Sequence, residues 1–411
     1  MNPAALLIIS SLLTLASPPA QQPDGVPSGW QGRLEVAGGL PHIHNPPTPS
    51  EAPQPVRLVP VWRTGSDPRE GPFGRLAGVA ADSSGCLYLL DRQMKEVRAY
   101  SSQGAFLGAL SRPGEGPGEL RNPRSLIVTP DGLVAVAEFM PGRLVRLHAD
   151  GTPAGDIDLQ AVLPEGSTVV TIHTASRGPN QYILEVRLIR MEKQRRIEDH
   201  RLIGLSFEGE ARATYLESRV ARDPGMLLFT DRQDTFERGH WVALSDGRLA
   251  ARLHRDAYEI GIFSPDGVRE RVIHCDGVPR VARTQAELDE LEAEVTQSTR
   301  GRPPGYRIET DFSPYRPAIS RLWAGPHGEL WVRSCRHDRD LPTGISERIE
   351  VFDREGHFVR ELLLALPGGS LPPDFFVLDE LLFVLEEHPD PEETGGVTAQ
   401  VTCHRISADP E

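Results

Sequence analysis

Residues 76–110 read LAGVAADSSGCLYLLDRQMKEVRAYSSQGAFLGAL, and in them short apolar runs alternate with turn-forming groups such as SSG and SSQG. This alternation is typical of β-hairpins, because tight turns favour glycine and small polar residues. The stretch therefore predicts four short antiparallel strands, at roughly 77–82, 86–90, 95–101 and 105–110.

The unit repeats along the chain, since 120–158 matches 73–111 at an offset of 47 residues. A shorter motif extends the repeat: an aliphatic residue, an apolar residue three positions later, and a glycine four positions after that. It occurs as Val97/Tyr100/Gly104, Leu144/Leu147/Gly151, Leu202/Leu205/Gly209, Ile260/Phe263/Gly267 and Ile349/Phe352/Gly356. Four-stranded repeats of about 40–50 residues are typical of β-propellers, in which each blade buries its faces against its neighbours.

The two ends of the chain determine the number of blades. The last repeat contains only three strands, at 375–379, 381–387 and 397–407, whereas the apolar segment 56–62 precedes the first complete unit. We therefore predict that 56–62 supplies the missing strand. The predicted fold is all-β, a six-bladed β-propeller with four-stranded antiparallel blades whose last blade is closed by an N-terminal strand.

One segment has a helical pattern. The sequence TQAELDELEAEVTQS at 284–298 begins with Thr284 and Glu287, which fit a capping box. Its apolar residues Leu288, Leu291 and Val295 share one helical face. We predict a short helical insertion at 276–311 on one face of the disc, as packing or as a lid over the central channel. The helix leaves too little chain for a seventh blade.

Residues 76–120 resemble bacterial six-bladed β-propeller proteins related to NHL-repeat domains. Those proteins have a recurring valine–aspartate–glycine–tyrosine–aspartate pattern and a connector similar to GEGPGEL. The resemblance is strongest over 73–158 and continues over 240–275 and 318–365. It implies the propeller fold and, for many such proteins, export without an assigned activity. Others bind partners, and a few are lyases or lactonases.

Charge and hydropathy limit the location and the partners. The formal net charge of −14 opposes binding to nucleic acid or to an anionic membrane surface. An apolar run at 6–16 is too short to span a bilayer and is typical of a signal peptide. We predict a signal peptide at 1–20, a Pro/Gly-rich extension at 21–55 and a propeller at 56–408. The protein is expected to be periplasmic or secreted, without a transmembrane segment.

The connector RPGEGPGEL, residues 112–120, has the glycine content of a phosphate-binding loop. Pro113 and Pro117 each lack the N–H group that such a loop needs. Glu115 and Glu119 would repel an anion. The stretch is therefore interpreted as an inter-blade connector that is exposed on one face of the propeller.

The ligand-binding candidates are weak ones: Arg112 and Glu115 in the connector, and Asp91 and Glu138 at one shared repeat position. An acidic residue at the repeat position would alternatively accept hydrogen bonds from nearby backbone N–H groups and shape the turn. No serine–histidine–acid spacing, zincin motif or nucleophile elbow occurs, so no catalytic residue is assigned.

Histidines and cysteines offer no complete metal site in the sequence. His42 and His44 would point the same way on a strand, as metal ligands can, but their surroundings are proline-rich and no third ligand can be named. We assign no metal ligand and predict no cofactor. The four cysteines, Cys86, Cys275, Cys335 and Cys403, allow three pairings or free thiols.

A local basic run, RLIRMEKQRRIEDHR at 187–201, stands out in an acidic chain. It contains acidic residues and no aromatic ones, whereas nucleic-acid recognition favours a basic face with stacking residues. We interpret it as a long solvated hairpin of the third blade.

These observations predict an exported propeller that presents loops and a central funnel to a protein, peptide or glycan. The alternative is a metal-dependent propeller enzyme of the lyase or lactonase type, for which a divalent metal, calcium or zinc, would be the cofactor. Three or four histidine or carboxylate side chains converging on the axis would favour the enzyme. An axis lined by small or apolar residues would favour the binding protein.

Overall fold

The computed structural model describes residues 26–65, 67, 69–71, 73–162, 169–232, 236, 239–300, 305, 307–365, 375–389 and 397–407. The predicted signal peptide lies outside these residues. The fold is all-β, with most strands in four-stranded antiparallel groups.

The first half of the chain begins with β1 (Arg33–Ala37), β2 (Leu40–Asn45) and β3 (Gln54–Arg63). The first two repeats form β4 (Leu76–Ala81), β5 (Leu87–Asp91), β6 (Glu96–Tyr100), β7 (Phe106–Ala109), β8 (Pro123–Val128), β9 (Val134–Glu138), β10 (Arg143–Leu147), β11 (Pro153–Asp158) and the short helix α1 (Leu159–Val162). They are followed by β12 (Val169–Arg177), β13 (Tyr182–Glu192), β14 (Arg195–Leu205) and β15 (Ala211–Arg222).

The second half begins with β16 (Met226–Thr230), β17 (Trp241–Ala243), β18 (Leu249–Arg252), β19 (Glu259–Phe263) and β20 (Arg269–Cys275). After these come helix α2 (Gln285–Thr299), β21 (Arg307–Asp311), β22 (Ile319–Ala324), β23 (Leu330–Ser334), β24 (Glu347–Phe352) and β25 (Phe358–Ala365). The last strands are β26 (Phe375–Leu378), β27 (Leu381–Pro389) and β28 (Val397–Ser407).

Consecutive strands pair in antiparallel groups of four. The first to fifth groups are β4–β7, β8–β11, β12–β15, β17–β20 and β22–β25, and the sixth consists of β26, β27, β28 and β3. The predicted segment 56–62 lies within β3, which pairs antiparallel with β28 from Arg57 to Arg63. The start of β3 also pairs parallel with β25, so that the fifth and sixth groups form one eight-stranded sheet.

The N-terminal extension contains a hairpin that the sequence did not predict. β1 pairs with β2, and β2 pairs parallel with β20, so the hairpin extends the fourth group to six strands. Asn45 anchors it, because its buried side-chain amide donates to the carbonyl groups of His274 and Gly356 and its Oδ1 accepts from Phe358 N–H. The extension is therefore packed on the fourth and fifth groups.

Buried apolar side chains fill the space between neighbouring groups. Between the first and sixth groups, for example, Leu89 and Tyr100 pack with Phe383 and Val401. Similar layers join the first and second, second and third, third and fourth, fourth and fifth, and fifth and sixth groups. Each sheet therefore buries both faces, as a propeller requires.

The first strands of the groups lie around a common channel. β4 contacts β8, β8 contacts β12, β12 contacts β17, β17 contacts β22, β22 contacts β26, and β26 contacts β4. They enclose about 180 Å³. The described lining residues are Ala77, Gly78, Val79, Ser125, Leu126, Thr174, Ala175, Ser176, Gly239, Trp241, Val242, Arg321, Leu322, Trp323, Phe375, Phe376 and Val377. They are small or apolar apart from Arg321, and they include no histidine or carboxylate.

The motif glycine of each repeat lies against the outer strand of the preceding group. A Cβ atom on Gly104 would come within 2.4 Å of Trp62 on β3, and one on Gly267 within 2.9 Å of the Thr214 carbonyl oxygen on β15. Gly151, Gly209 and Gly356 approach Leu110, Ile157 and Ile273 in the same way. Glycine is needed here for close packing as well as for the positive φ of 83° at Gly104 and 85° at Gly267.

The four cysteines all lie in the described part of the chain and are free thiols. Burial is the largest cause that raises the pKa of each thiol, in Cys86, Cys275, Cys335 and Cys403. Because the thiolate is the reactive form, burial lowers the reactivity of these thiols.

Candidate functional site

Arginines collect where the first strands of the first two groups begin. Arg75 precedes β4, Arg92 follows β5, and the Arg92 N–H donates to the Arg75 carbonyl oxygen at 2.8 Å. Arg124, at the start of β8, stacks its guanidinium over the Phe139 ring, 4.6 Å from its centroid. Burial, together with the charges of Arg92 and Arg75, lowers the pKa of Arg124 to about 10. Three like charges are therefore held close together at one end of the channel.

The third group continues this positive region. His173 lies at an irregularity of β12, and Arg187 on β13 is in register with Thr171 on one side and His200 on the other. Within the described part of the chain, no carboxylate lies within ion-pair distance of Arg75, Arg92, Arg124 or Arg187. We call these four arginines, with His173 and His200, the cationic cleft.

A pocket of about 630 Å³ adjoins the cleft at Arg187 and His200. Its polar wall comes from the β13–β14 hairpin and β15. The residues of this wall are Arg187, Arg196, Glu198, His200 and Arg222. Its apolar wall comes mainly from β16 and α2, with Leu227, Leu228, Phe229, Leu291, Val295 and Phe312. The volume is within the usual range for ligand sites, and the two walls suit a ligand with an anionic and an apolar part.

Two carboxylates line the pocket: Glu294 on α2, which is exposed, and Glu198, which is already neutralised. Glu198 forms ion pairs with Arg196 and, at 3.5 Å, with Arg222. Burial would raise the pKa of Glu198, but contacts with His200 and Arg196 outweigh it and lower that pKa to about 2. His200 is 2% exposed, and no described residue forms a hydrogen bond with its ring nitrogens, although Glu198 Oε2 lies 3.4 Å from Nε2.

The sequence-based interpretation of 187–201 needs correction, because this hairpin is only partly solvated. Arg196, Glu198 and His200 alternate along β14 and therefore share one face, which forms the polar wall of the pocket. That alternation was the signal in the sequence. The alternation marks a binding wall only because α2 and β16 cover the same face. The sequence pattern does not reveal that these two elements pack there.

Helix α2 begins at the predicted capping box. The Thr284 side chain accepts a hydrogen bond from Glu287 N–H, and the Glu287 carboxylate accepts one from Thr284 N–H at 2.8 Å. Its residues Leu291 and Val295, from the predicted apolar face, line the pocket. No described α2 residue lines the channel, so α2 covers the pocket beside the third group instead.

The loop RPGEGPGEL satisfies its own hydrogen-bonding groups. Glu119 accepts from Gly116 N–H at 2.8 Å and from Arg112 Nε at 2.7 Å, while Glu115 lies 3.2 Å from Arg121. The side chain of Arg112 is 80% exposed and that of Glu115 is 72% exposed. A carboxylate of the loop thus occupies the position that an anion would take. The structure places these two candidates in a connector with their side chains exposed.

Asp91 and Glu138 are fully buried and hold the loops before their groups. Asp91 accepts from the N–H groups of Gly74, Arg75, Gln93 and Met94 at 2.6–3.0 Å. Glu138 accepts from the N–H groups of Arg121 and Asn122 and from Arg143 Nε. These contacts match the turn-shaping interpretation. Asp91 also fixes the backbone of Arg75, so it positions part of the cleft.

The cleft should make stability depend on pH through His173. Burial, reinforced by the charges of Arg187 and Arg124, lowers the pKa of His173 to about 3. The unfolded chain, with a histidine pKa of about 6.5, binds more protons between pH 6.5 and 3, so stability falls as the pH falls through that window. His173→Gln should remove a slope of at most about 1.4 kcal/mol per pH unit in urea titrations between pH 6.5 and 4. The exposed control His148→Gln should keep the slope, and an unchanged slope in His173→Gln would contradict the assignment.

No protein-family model matches the chain, and no curated protein matches it in sequence. A putative exported protein from Bacteroides fragilis is 12% identical, with a TM-score of 0.48, over 86% of this chain and 95% of that one. A member of the DUF4221 family from Bacteroides vulgatus is 12% identical, with a TM-score of 0.47, over 86% and 98% of the two chains. Virginiamycin B lyase from Staphylococcus aureus is 11% identical, with a TM-score of 0.37, over 80% and 94%. Among the described residues, no helix has the length and apolar character needed to cross a membrane.

Proposed function

We propose that the protein is an exported six-bladed β-propeller that binds the acidic segment of a peptide or protein partner at the cationic cleft. The cycle of contacts from β4 through β26 and back to β4 supports a closed ring of six blades. The pairing of β3 with β28 supports closure by an N-terminal strand. Export rests on the apolar run at 6–16.

The observation that carries the binding proposal is the excess of positive charge. Arg75, Arg92, Arg124 and Arg187 lie together without ion-pair partners in the described part of a chain whose net charge is −14. Like charges held together without counter-ions reduce stability, so a functional reason for them is expected. An acidic ligand would supply the counter-charge, and its apolar side chains would contact β16 and α2.

The alternative function, a metal-dependent lyase or lactonase, would require metal ligands at the axis. The described channel lining offers small and apolar side chains and Arg321 there. We therefore place the binding site at the cleft and not in the channel.

Binding can be tested with a fluorescein-labelled peptide in which glutamate and leucine alternate. Arg124→Gln and Arg187→Gln should each weaken its binding at least about tenfold in fluorescence anisotropy, since a charged hydrogen bond contributes roughly 1.5–3 kcal/mol. Added salt should weaken binding to the wild type as well. The melting temperature of each variant should stay the same or rise, because one of several mutually repelling charges is removed.

The controls distinguish charge-specific binding at the cleft from nonspecific binding of a peptide to the protein surface. A peptide in which lysine replaces glutamate should not bind, and Arg269→Gln, which changes an exposed arginine on β20, should leave binding unchanged. Equal binding of the two peptides, or full binding by both cleft variants, would refute the proposal.

A further inference from the structure

Three histidines from two distant parts of the sequence meet on the outer edge of the fourth group. The parallel pairing of β2 with β20 puts His44 in register with His274 and His42 in register with Val272. Alternate residues of a strand share a face, so His42 and His44 point to the same side as His274. One ligand atom from each of the three rings lies within 4.8 Å of the other two.

The three rings lie close together in a face-to-face stack, with interplanar angles of 8–22°. His42 Nδ1 lies 2.8 Å from His274 Nε2, and the His44 and His274 rings stack with centroids 4.4 Å apart. Two nitrogens that bind one ion tetrahedrally, at 2.0–2.1 Å from it, are about 3.3 Å apart. Rotation of these partly buried rings out of the stack would therefore be needed to direct the three nitrogens at one ion.

Carboxylates contact the outer nitrogens of the same rings. His44 Nδ1 lies 3.1 Å from both oxygens of Asp276, and His274 Nδ1 lies 3.7 Å from Glu259. An ion would then bind His44 Nε2, which is 3.7 Å from Glu35, and His274 Nε2, where it would replace the proton shared with His42 Nδ1. Histidine ligands commonly donate their second N–H to a carboxylate in this way. The nearby cation, Arg33, is paired with Asp276 at 2.9 Å and also lies 3.1 Å from His44 Nδ1.

We propose that His42, His44 and His274 bind one divalent transition-metal ion, with zinc as the expected occupant. Imidazole is a preferred ligand of zinc, and three histidines leave a fourth position for water or a carboxylate. A cavity of about 290 Å³ lined by Glu259, His274 and Asp276 gives the ion a route from solvent.

The bound ion would link the N-terminal hairpin to the fourth group. Two ligands lie on β2 and one on β20, so the ion adds a cross-link to the backbone pairing of these strands. A ligand that binds only the folded state raises stability in proportion to its affinity and concentration. Zinc should therefore raise the melting temperature without any link to the channel or to the cationic cleft.

The test uses the untagged full chain, stripped with a chelator and titrated with zinc chloride by calorimetry. We expect one zinc per chain, confirmed by elemental analysis after dialysis. His44→Asn and His274→Asn should each weaken binding by at least about 100-fold. Asp276→Asn should weaken it about 10- to 100-fold, the usual effect of losing a carboxylate that supports a histidine ligand. The exposed control His148→Asn should bind as the wild type does.

X-ray absorption of the zinc-loaded wild type tests the ligands even where a variant fails to fold. Nitrogen neighbours at about 2.0–2.1 Å support the site. Sulfur at about 2.3 Å would assign the metal to a cysteine such as Cys275 and overturn the proposal. Failure of the wild type to bind zinc, or unchanged binding in both histidine variants, would also overturn it.

Discussion

A chain that begins at residue 64 should lose the cooperative unfolding transition that a chain beginning at residue 53 keeps. The shorter chain lacks β3, whose Val56 and Leu58 are 2% and 6% exposed between the fifth and sixth groups. Burying each large apolar side chain contributes about 1.5–3 kcal/mol, and β28 would lose its antiparallel partner over Arg57–Arg63. We expect a loss of at least about 5 kcal/mol, comparable to the whole stability of many domains.

Trp62 makes the loss larger because it joins the sixth group to the first. Its ring stacks on Tyr100 with centroids 5.5 Å apart, lies 6.0 Å from Phe383 and covers Gly104. Without Trp62, the first group would expose the face that it buries against its neighbour. Removing β3 should therefore destabilise both the first group of strands and the sixth.

The comparison chain that begins at residue 53 isolates this contribution. It lacks β1 and β2 and so loses the hydrogen bonds of Asn45, but it keeps all of β3. We expect a moderately lower melting temperature with cooperativity retained in circular dichroism and urea titrations. A synthetic peptide of residues 54–63 should restore part of the transition of the shorter chain. Equal melting of the two chains would show that the pairing of β3 with β28 contributes little to stability.

The repeat made most of the fold predictable. Alternating apolar residues and regularly placed glycines specified the strands of 73–111 and 120–158 to within one or two residues, because turn chemistry and strand alternation are local properties. The segment 56–62 was recognised from the three strands left at the other end. The β1–β2 hairpin was missed because Pro/Gly-rich surroundings normally oppose strands, and its pairing with β20 is a long-range contact.

The site was much less predictable, because its residues come from separate repeats. Arg75 and Arg92 flank one buried carboxylate, Asp91, whereas Arg187 belongs to a different group of strands. The sequence identifies which residues share a strand face, as with His42 and His44, but not what covers that face. His274 lies 230 positions from His44, and only the register of a parallel strand pair brings them together.

Asp91→Ala should reduce the free energy of unfolding by about 4 kcal/mol. The 0% exposed carboxylate accepts four backbone N–H groups, and each buried donor left without an acceptor costs about 1–3 kcal/mol. Asp91→Asn should lose less, because its amide oxygen can keep the three donors at Oδ1, from Arg75, Gln93 and Met94. Only Gly74 N–H would then face an NH₂ group. Urea titration at neutral pH measures both differences.

Glu138 in the second repeat allows the same stability measurement to be made again, and the exposed connector residue Glu115 provides a control. Glu138, which holds the loop before β8 as Asp91 holds the loop before β4, should show a loss of similar size in Glu138→Ala. Glu115→Ala, at an exposed position, should stay within about 0.5 kcal/mol of the wild type. Because Asp91 fixes the backbone of Arg75, Asp91→Ala should also weaken binding of the acidic peptide, whereas Asp91→Asn, which keeps the Arg75 hydrogen bond, should not; both variants should leave zinc binding unchanged. If Asp91→Ala is as stable as the wild type, the carboxylate does not hold the loop. Contact with a ligand, the other role predicted for Asp91 from the sequence, would then better explain an acidic residue at this position.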